Sequence, residues 1–230
     1  MAAVQSVASA IKIGVIGVGM VGGPLSSLWA QAGHEVLVSS RNPSSLTAPE
    51  PNGRVGTPEE AAAFGDVVLL AIPFSATASL SAACKAAMDG KVVIDANNAF
   101  PHRDGDAAVE ALGSGAGSGS WTAAQLPSGC RVVKAFNTWP FFRMAVNPGR
   151  AGQPCVPVAS DDDGALQLVA KLVADAGLDA VPLTGLGLKA SAHFDAGTPI
   201  GPNSGVVEAQ VRAHLGLPPP EGSSGEGGEL

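Results

Sequence analysis

The run Gly17-Val18-Gly19-Met20-Val21-Gly22 is the first place where residue type and spacing suggest chemistry. A Gly-x-Gly-x-x-Gly string means little by itself, because a chain with 30 glycines produces such strings by chance. Here the context gives it meaning. Ile11-Lys12-Ile13-Gly14-Val15-Ile16 ahead of it has a buried-strand pattern, and a helical stretch follows, ending near Gly33. In that setting Gly17 permits a tight turn, Gly19 lets the backbone approach a pyrophosphate without a Cβ in the way, and Gly22 lets the helix pack close to the strand. The helix N-terminus then offers unpaired N–H groups and a partial positive charge to phosphates. Pro24 falls in the first turn, where a missing N–H costs little.

Gly33-His34-Glu35-Val36 closes this helix, with Gly33 suited to a left-handed cap and His34 leading into the next strand as a turn residue. At the end of that strand an NAD site would carry Asp or Glu for the ribose hydroxyls, whereas the sequence reads Ser39-Ser40-Arg41-Asn42. A carboxylate would repel a 2′-phosphate; Ser40 can donate a hydrogen bond to one, and Arg41 can pair with it or stack on the adenine. NADP(H) is therefore the expected cofactor. Further candidates stand just past later strands, where ligands of open α/β sheets lie. These are Ala71-Ile72-Pro73-Phe74, Asp95-Ala96-Asn97-Asn98 and Ala135-Phe136-Asn137-Thr138. Asn97 and Asn137 can hydrogen-bond a carboxamide or ribose, or simply form turns. Lys134 could reach the site as a proton donor, although a lysine on a strand flank ordinarily reaches solvent. His102, His193 and His214 are isolated, and no Ser/His/Asp or Cys/His arrangement can be assembled, so no catalytic residue is assigned.

The elements that must position these residues follow from an alternation of short β-rich apolar runs with Ala-rich helical stretches, the signature of βαβ units. Strands are expected at Ile11–Ile16, Glu35–Ser39, Val67–Ile72, Lys91–Ala96, Arg131–Ala135, Cys155–Ala159 and Asp179–Leu183. The fold class is α/β, a doubly wound, mainly parallel sheet with helices on both faces, of the Rossmann type. Thr57-Pro58-Glu59-Glu60 has the form of a capping box with Pro at the first helical position. Ser160-Asp161-Asp162-Asp163 places carboxylates at another helix start, and capping is the better reading than a metal site, for which the segment supplies no partners. Gly113–Ser120, all Gly, Ser and Ala, is expected to be a flexible inserted loop. Residues 1–10 read as a disordered lead-in, 11–185 as a dinucleotide-binding domain, 186–217 as a C-terminal segment near an acceptor pocket, and 218–230 as a disordered tail.

Composition excludes other classes. Of 230 residues, 46% are apolar, enough for one sizeable core. Thirteen Lys and Arg against twenty Asp and Glu leave a net charge of −7, which offers no general attraction to nucleic acid or an anionic membrane. The longest apolar runs are strand-sized, far short of the roughly 20 residues of a bilayer span. Cys84, Cys130 and Cys155 are odd in number and widely spaced, fitting neither a disulfide framework nor zinc. With no recognisable targeting segment, a reducing, cytoplasmic setting is expected.

The chain resembles the deazaflavin-dependent NADP oxidoreductase family over residues 11–185. The resemblance rests on the Gly17–Gly22 turn, the Ser40-Arg41 pair, Gly65–Pro73, Val133–Thr138 and Val158–Asp163, in that order. Related domains occur in ferric reductases and as the cofactor half of pyrroline-carboxylate reductases. The resemblance implies hydride transfer between NADP(H) and a deazaflavin or flavin acceptor. It implies that Val18, Gly19, Met20 and Val21 contact the pyrophosphate, Ser40 and Arg41 the 2′-phosphate, and the Ile72 and Ala135 regions the nicotinamide side. A small-molecule redox acceptor is the implied partner, with pairing as a homodimer to complete the pocket. The departure comes late: Phe194–Gly205, with three Gly and two Pro, replaces the covering helix of the family, and only Val206–Leu215 looks helical afterwards. Two other readings stay open. One is reduction of a small imine or carbonyl, which needs an acid such as Lys134 or His193 beside the nicotinamide. The other is an NADPH-binding sensor without turnover.

Overall fold

A computed structural model describes residues 10–139 and 155–219 apart from Asn203 and Val206. The lead-in before Ala10 and the tail from Pro220 onward lie outside the described residues. The chain runs β1 (Lys12–Ile16), α1 (Gly22–Gln31), β2 (Glu35–Ser39), β3 (Arg54–Gly56), α2 (Pro58–Phe64), β4 (Val67–Leu70), α3 (Ala82–Ala87) and β5 (Val92–Asp95). It continues through α4 (Pro101–Asp104), α5 (Asp106–Gly113), α6 (Gly117–Ala124), β6 (Arg131–Lys134), β7 (Cys155–Ser160), α7 (Asp163–Asp175), β8 (Asp179–Pro182) and α8 (Glu208–His214).

The eight strands lie in the order β3-β2-β1-β4-β5-β6-β7-β8. Strands β3 to β6 are mutually parallel, β7 runs antiparallel to β6, and β8 is parallel to β7. Chain order reverses between β1 and β4, which opens a crevice at the carboxyl ends of those two strands. Strand periodicity divides the core. Ile13, Val15, Val36, Val38, Val67 and Leu69 face α1 and α7, with Trp29 and Phe136 in T-shaped contact at 5.8 Å. Ile16, Leu37, Val68, Leu70 and Val93 face α2 and α3. Because both faces are covered, β4 is buried at every residue, which is why it reads as a continuous apolar run.

Local chemistry sets several boundaries. Thr57 Oγ1 accepts from the Glu60 N–H at 3.2 Å and Glu60 returns a carboxylate to the Thr57 N–H at 2.8 Å, the expected capping box on α2. Asp162 caps α7 by accepting from the Ala165 N–H at 2.6 Å, while Asp161 accepts from the Leu188 N–H at 2.8 Å. Gly33 ends the first helix at φ +94°. His34 is a buried brace between β1 and α7: its Nδ1 accepts from the Ile11 N–H, and its Nε2 lies 3.1 Å from Asp175.

Two expectations are corrected. Strand β3 had no counterpart in the sequence reading, since Arg-Val-Gly at a sheet edge lacks an apolar run. More consequentially, Gly113–Ser120 is not a loop. Its second half forms α6, which packs against a 3-10 segment at Leu188–Phe194. A Cβ on Gly117 would lie 2.2 Å from Ser191 Oγ, and one on Gly119 would lie 2.9 Å from Leu188 Cδ1. Between them Ser118 donates both its N–H, at 2.7 Å, and its hydroxyl to the buried Asp195. The small residues serve close approach, and the composition of a linker is here the composition of a tight interface. Residues 194–205 contain no α-helix among those described, and α8 follows within the expected span.

Candidate functional site: a cofactor crevice with two cavities

At the carboxyl end of β1 the chain turns through Gly17 at φ +101°, where a Cβ would come within 2.3 Å of the Ala71 carbonyl oxygen. A Cβ on Gly22 would lie 2.0 Å from the Gly17 carbonyl oxygen. Both glycines are required by the protein itself. Gly19 is different, because a Cβ there would meet no atom within 4 Å. The turn keeps open a space that no protein group fills. Four consecutive N–H groups, those of Val18, Gly19, Met20 and Val21, have no hydrogen-bond acceptor among the described residues, and no acid stands in the first turn of α1. Unpaired donors at a helix start, with an open approach, fit a pyrophosphate.

A cavity of about 680 Å³ extends from this turn. Val18, Gly19, Ser40 and Arg41 line it on one side and Ala71, Ile72 and Pro73 on another. Ser39 is buried and donates to the Val15 carbonyl at 2.8 Å, which fixes the end of β2 and turns the next two residues outward. Ser40 Oγ accepts from the Asn42 N–H at 3.1 Å, leaving its hydroxyl hydrogen for a ligand. Arg41 is exposed and makes no ion pair among the described residues. The wall also holds Glu59, Ser81 and Cys84, none of which the sequence reading placed at the site. Glu59 accepts from the Ser81 hydroxyl at 2.6 Å; that hydrogen bond, more than any other influence, lowers its carboxyl below the usual value. Burial raises the Cys84 thiol to about 11, so it stays protonated at neutral pH.

Beyond Ile72 and Pro73 a second cavity of about 210 Å³ opens between Met20 and Val21 on one side and Ala96, Asn97, Asn98 and Arg103 on the other. Asn97 Oδ1 accepts from the Ile72 N–H at 3.0 Å and its Nδ2 donates to Thr77 Oγ1 at 3.2 Å, so this amide holds the wall between the two cavities. Asn97 is held in turn. Lys134, fully buried, donates from Nζ to the Asn97 carbonyl at 2.5 Å and to Asp95 at 3.1 Å. Lys134 therefore neither reaches solvent nor lines either cavity. Asp195, under the C-terminal segment, is raised above its ordinary value by burial, partly offset by Lys134 and by the Ser118 hydrogen bonds.

Of the sequence-derived candidates, Gly17, Val18, Gly19, Ser40, Arg41, Ala71, Ile72 and Pro73 meet in the first cavity, and Met20, Val21 and Asn97 join in the second. Ala135 and Asn137 are buried and line neither. Asn137 instead donates to the Phe194 carbonyl at 2.8 Å and ties the C-terminal segment down. Phe136 beside it has φ +66°, a conformation costing about 1–3 kcal/mol that its packing on Trp29 holds in place. Neither His193 nor His214 is near the crevice. The two rings contact each other at 5.7 Å, and His193 lines a separate cavity with Lys189 and Leu215. Among the described residues no cluster of acids, His and Cys could hold a metal ion.

The fold and this crevice define a doubly wound dinucleotide-binding protein. Residues 12–99, the segment from β1 to just past β5, match the model of the family described as NADP oxidoreductase, coenzyme F420-dependent. Among solved structures, a candidate F420-dependent NADP-reductase from Arthrobacter sp. FB24 is 24% identical, with a TM-score of 0.63 over 80% of this chain and 88% of that one. A hypothetical protein from Sinorhizobium meliloti is 26% identical, with a TM-score of 0.68 over 84% and 93%. Pyrroline carboxylate reductase from Plasmodium falciparum, with NADP bound, is 14% identical, with a TM-score of 0.51 over 74% of this chain and 57% of that one. No curated protein matches the sequence. No described helix is long and apolar enough to cross a membrane.

Proposed function

We propose that this protein is an NADP(H)-dependent oxidoreductase that passes a hydride between nicotinamide and a planar acceptor of the deazaflavin or flavin kind. The observation that carries the reading is the pairing of an open Gly19 turn, bearing four N–H groups without an acceptor among the described residues, with Ser40 and an Arg41 that makes no ion pair among them, in the same cavity. The family match over residues 12–99 supports it.

NADPH, when bound, supplies at nicotinamide C4 a hydride that leaves NADP⁺ behind. The protein's own residues bind and orient. The Val18 to Val21 N–H groups take the pyrophosphate charge, and Ser40 and Arg41 favour a 2′-phosphate over a bare ribose. Asn97, locked by Lys134, fixes the Ile72-Pro73 wall along which the nicotinamide end would lie. Hydride transfer between two stacked rings depends on position rather than on acid or base. The walls agree with that, since no lysine or histidine among the described residues lines either cavity. This observation favours a ring acceptor over an imine or carbonyl that must be protonated by the protein.

The test is isotopic. With NADPH deuterated at C4 and an oxidised 5-deazaflavin, direct transfer places deuterium on the acceptor's ring carbon. Deuterium appearing only in solvent, or no transfer to any ring acceptor, refutes the reading.

A further inference from the structure

The second cavity contains one charged side chain, and nothing in the cofactor reading uses it. Arg103 stands on the wall opposite the Gly-rich turn, across from Met20 and Val21, and none of the residues lining this cavity is acidic. Its guanidinium is held from three directions. Nε and Nη2 donate to Asp104 at 3.0 and 2.8 Å, Nη2 donates to the Asn98 carbonyl at 2.6 Å, and the group lies 5.0 Å from the centre of the Phe100 ring. Nη1 has no acceptor among the described residues, so two N–H donors remain in a fixed plane. The side chain is 41% exposed, and so accessible from the cavity, whereas that of Asp104 is fully covered.

Asp104 does not cancel this cation completely. Its carboxylate also accepts from the Ser75 N–H and hydroxyl, both at 3.2 Å, and from the Phe100 N–H at 3.1 Å. Burial opposes its charge, but the bonds from Arg103, Phe100 and Ser75 outweigh that and hold the carboxyl below its ordinary value. The carboxylate's capacity is thus shared among several donors, and it serves as a mount that aims the guanidinium. A planar cation, immobilised and with two donors left over, is the arrangement that recognises carboxylate or phosphate.

The two cavities share Ala71, Ile72 and Pro73, and Arg41 lies in the first and Arg103 in the second. The crevice thus has a cation for each of two anionic groups, of which a 2′-phosphate accounts for one. We infer that Arg103 is a specificity-determining residue: it pairs with a carboxylate or phosphate on the hydride acceptor, so the natural acceptor is an anion. This rests on the proposed function and deepens it by naming the charge class of the second substrate.

The test uses equilibrium binding, by calorimetry, to the full chain saturated with NADP⁺, so that no turnover is needed. Two matched pairs separate the sources of negative charge: 5-deaza-FMN against 5-deazariboflavin for phosphate, and a 10-carboxymethyl-5-deazaflavin against its 10-ethyl counterpart for carboxylate. The expected result is that the anionic member of one pair binds about tenfold or more tightly than its neutral partner. Arg103→Gln should abolish that difference, and Arg103→Lys should restore only part of it. Both variants should leave NADP⁺ affinity unchanged. Equal binding of charged and neutral members by the wild-type protein, or no binding of any of the four, overturns the inference whether or not the variants fold. An Arg103→Gln variant that loses NADP⁺ affinity also overturns it, by assigning the guanidinium to the cofactor. Failure of the wild-type protein to bind NADP⁺ refutes the function reading itself, and is measured first.

Discussion

Replacing Gly19 with alanine separates what the glycine-rich turn does for the ligand from what it does for the protein. The new methyl group would meet no protein atom within 4 Å, and the backbone there is not in the left-handed region. Folding stability should therefore stay within about 1 kcal/mol of wild type, and it can rise slightly because alanine restricts the unfolded chain. The same methyl group enters the space where the pyrophosphate must approach the N–H groups. Loss of one charge-assisted hydrogen bond, worth about 1.5–3 kcal/mol, weakens NADPH binding by roughly ten- to a hundredfold. Gly22→Ala is the contrasting variant. Its Cβ would fall 2.0 Å from the Gly17 carbonyl oxygen, a backbone atom that cannot step aside, so this protein should unfold at distinctly lower denaturant concentration. Urea unfolding and NADPH fluorescence titration on the three proteins give both quantities. The reasoning is refuted if Gly19→Ala binds NADPH as wild type does, or if it loses as much stability as Gly22→Ala.

Three other perturbations test separate parts of the account. Arg41→Ala should lower NADPH affinity by about ten- to a hundredfold while leaving NADH affinity unchanged, as read by parallel titrations; an unaltered ratio would place the 2′-phosphate elsewhere. Lys134→Met leaves Asp95 buried without its cation and should cost about 3–5 kcal/mol in chemical denaturation, whereas adding Asp95→Asn should recover part of the loss. Asp195 is raised above its ordinary value of 3.8, so the folded state holds its proton more tightly than the unfolded state does. Its contribution to stability is present in acid and is lost as pH rises from about 4 through the folded value. Glu59 and Asp104, both lowered, act in the opposite sense, their stabilisation being lost as pH falls. Asp195→Asn should remove the decline with rising pH from the stability profile, and a profile unchanged in slope would contradict the assignment.

The first half of the sheet and the phosphate-binding turn could be read from the sequence because their causes are local. The Gly17–Gly22 spacing, the Gly33 cap and the alternation through β1 and β2 each act within a few residues, and Glu35–Ser39 was placed to the residue. Features that depend on distant partners were not legible. Gly117-Ser118-Gly119 has the composition of a linker until Leu188, Ser191 and Asp195 are brought against it, whereupon the missing side chains become the fit. Lys134 has the sequence context of a solvent-reaching strand lysine, and only the alignment of β5 with β6 sets it beside Asp95. Arg103 follows a Pro-His pair in no motif at all. It reaches the crevice because Asp104 binds Ser75 across 29 residues of chain and draws α4 against the segment after β4. Asn137 stands next to a strand end, as expected of a ligand-contacting residue, yet Phe194 claims its amide.

The central claim is that this crevice brings NADPH and a ring acceptor together for hydride transfer. The most direct measurement follows the NADPH absorbance band under strictly anaerobic conditions, with purified protein, an oxidised 8-hydroxy-5-deazaflavin, and a flavin for comparison. The account predicts rapid oxidation of NADPH that requires the protein, matches the deazaflavin reduced mole for mole, and is far slower with NADH. A protein that holds NADPH tightly but oxidises it with neither ring would contradict it.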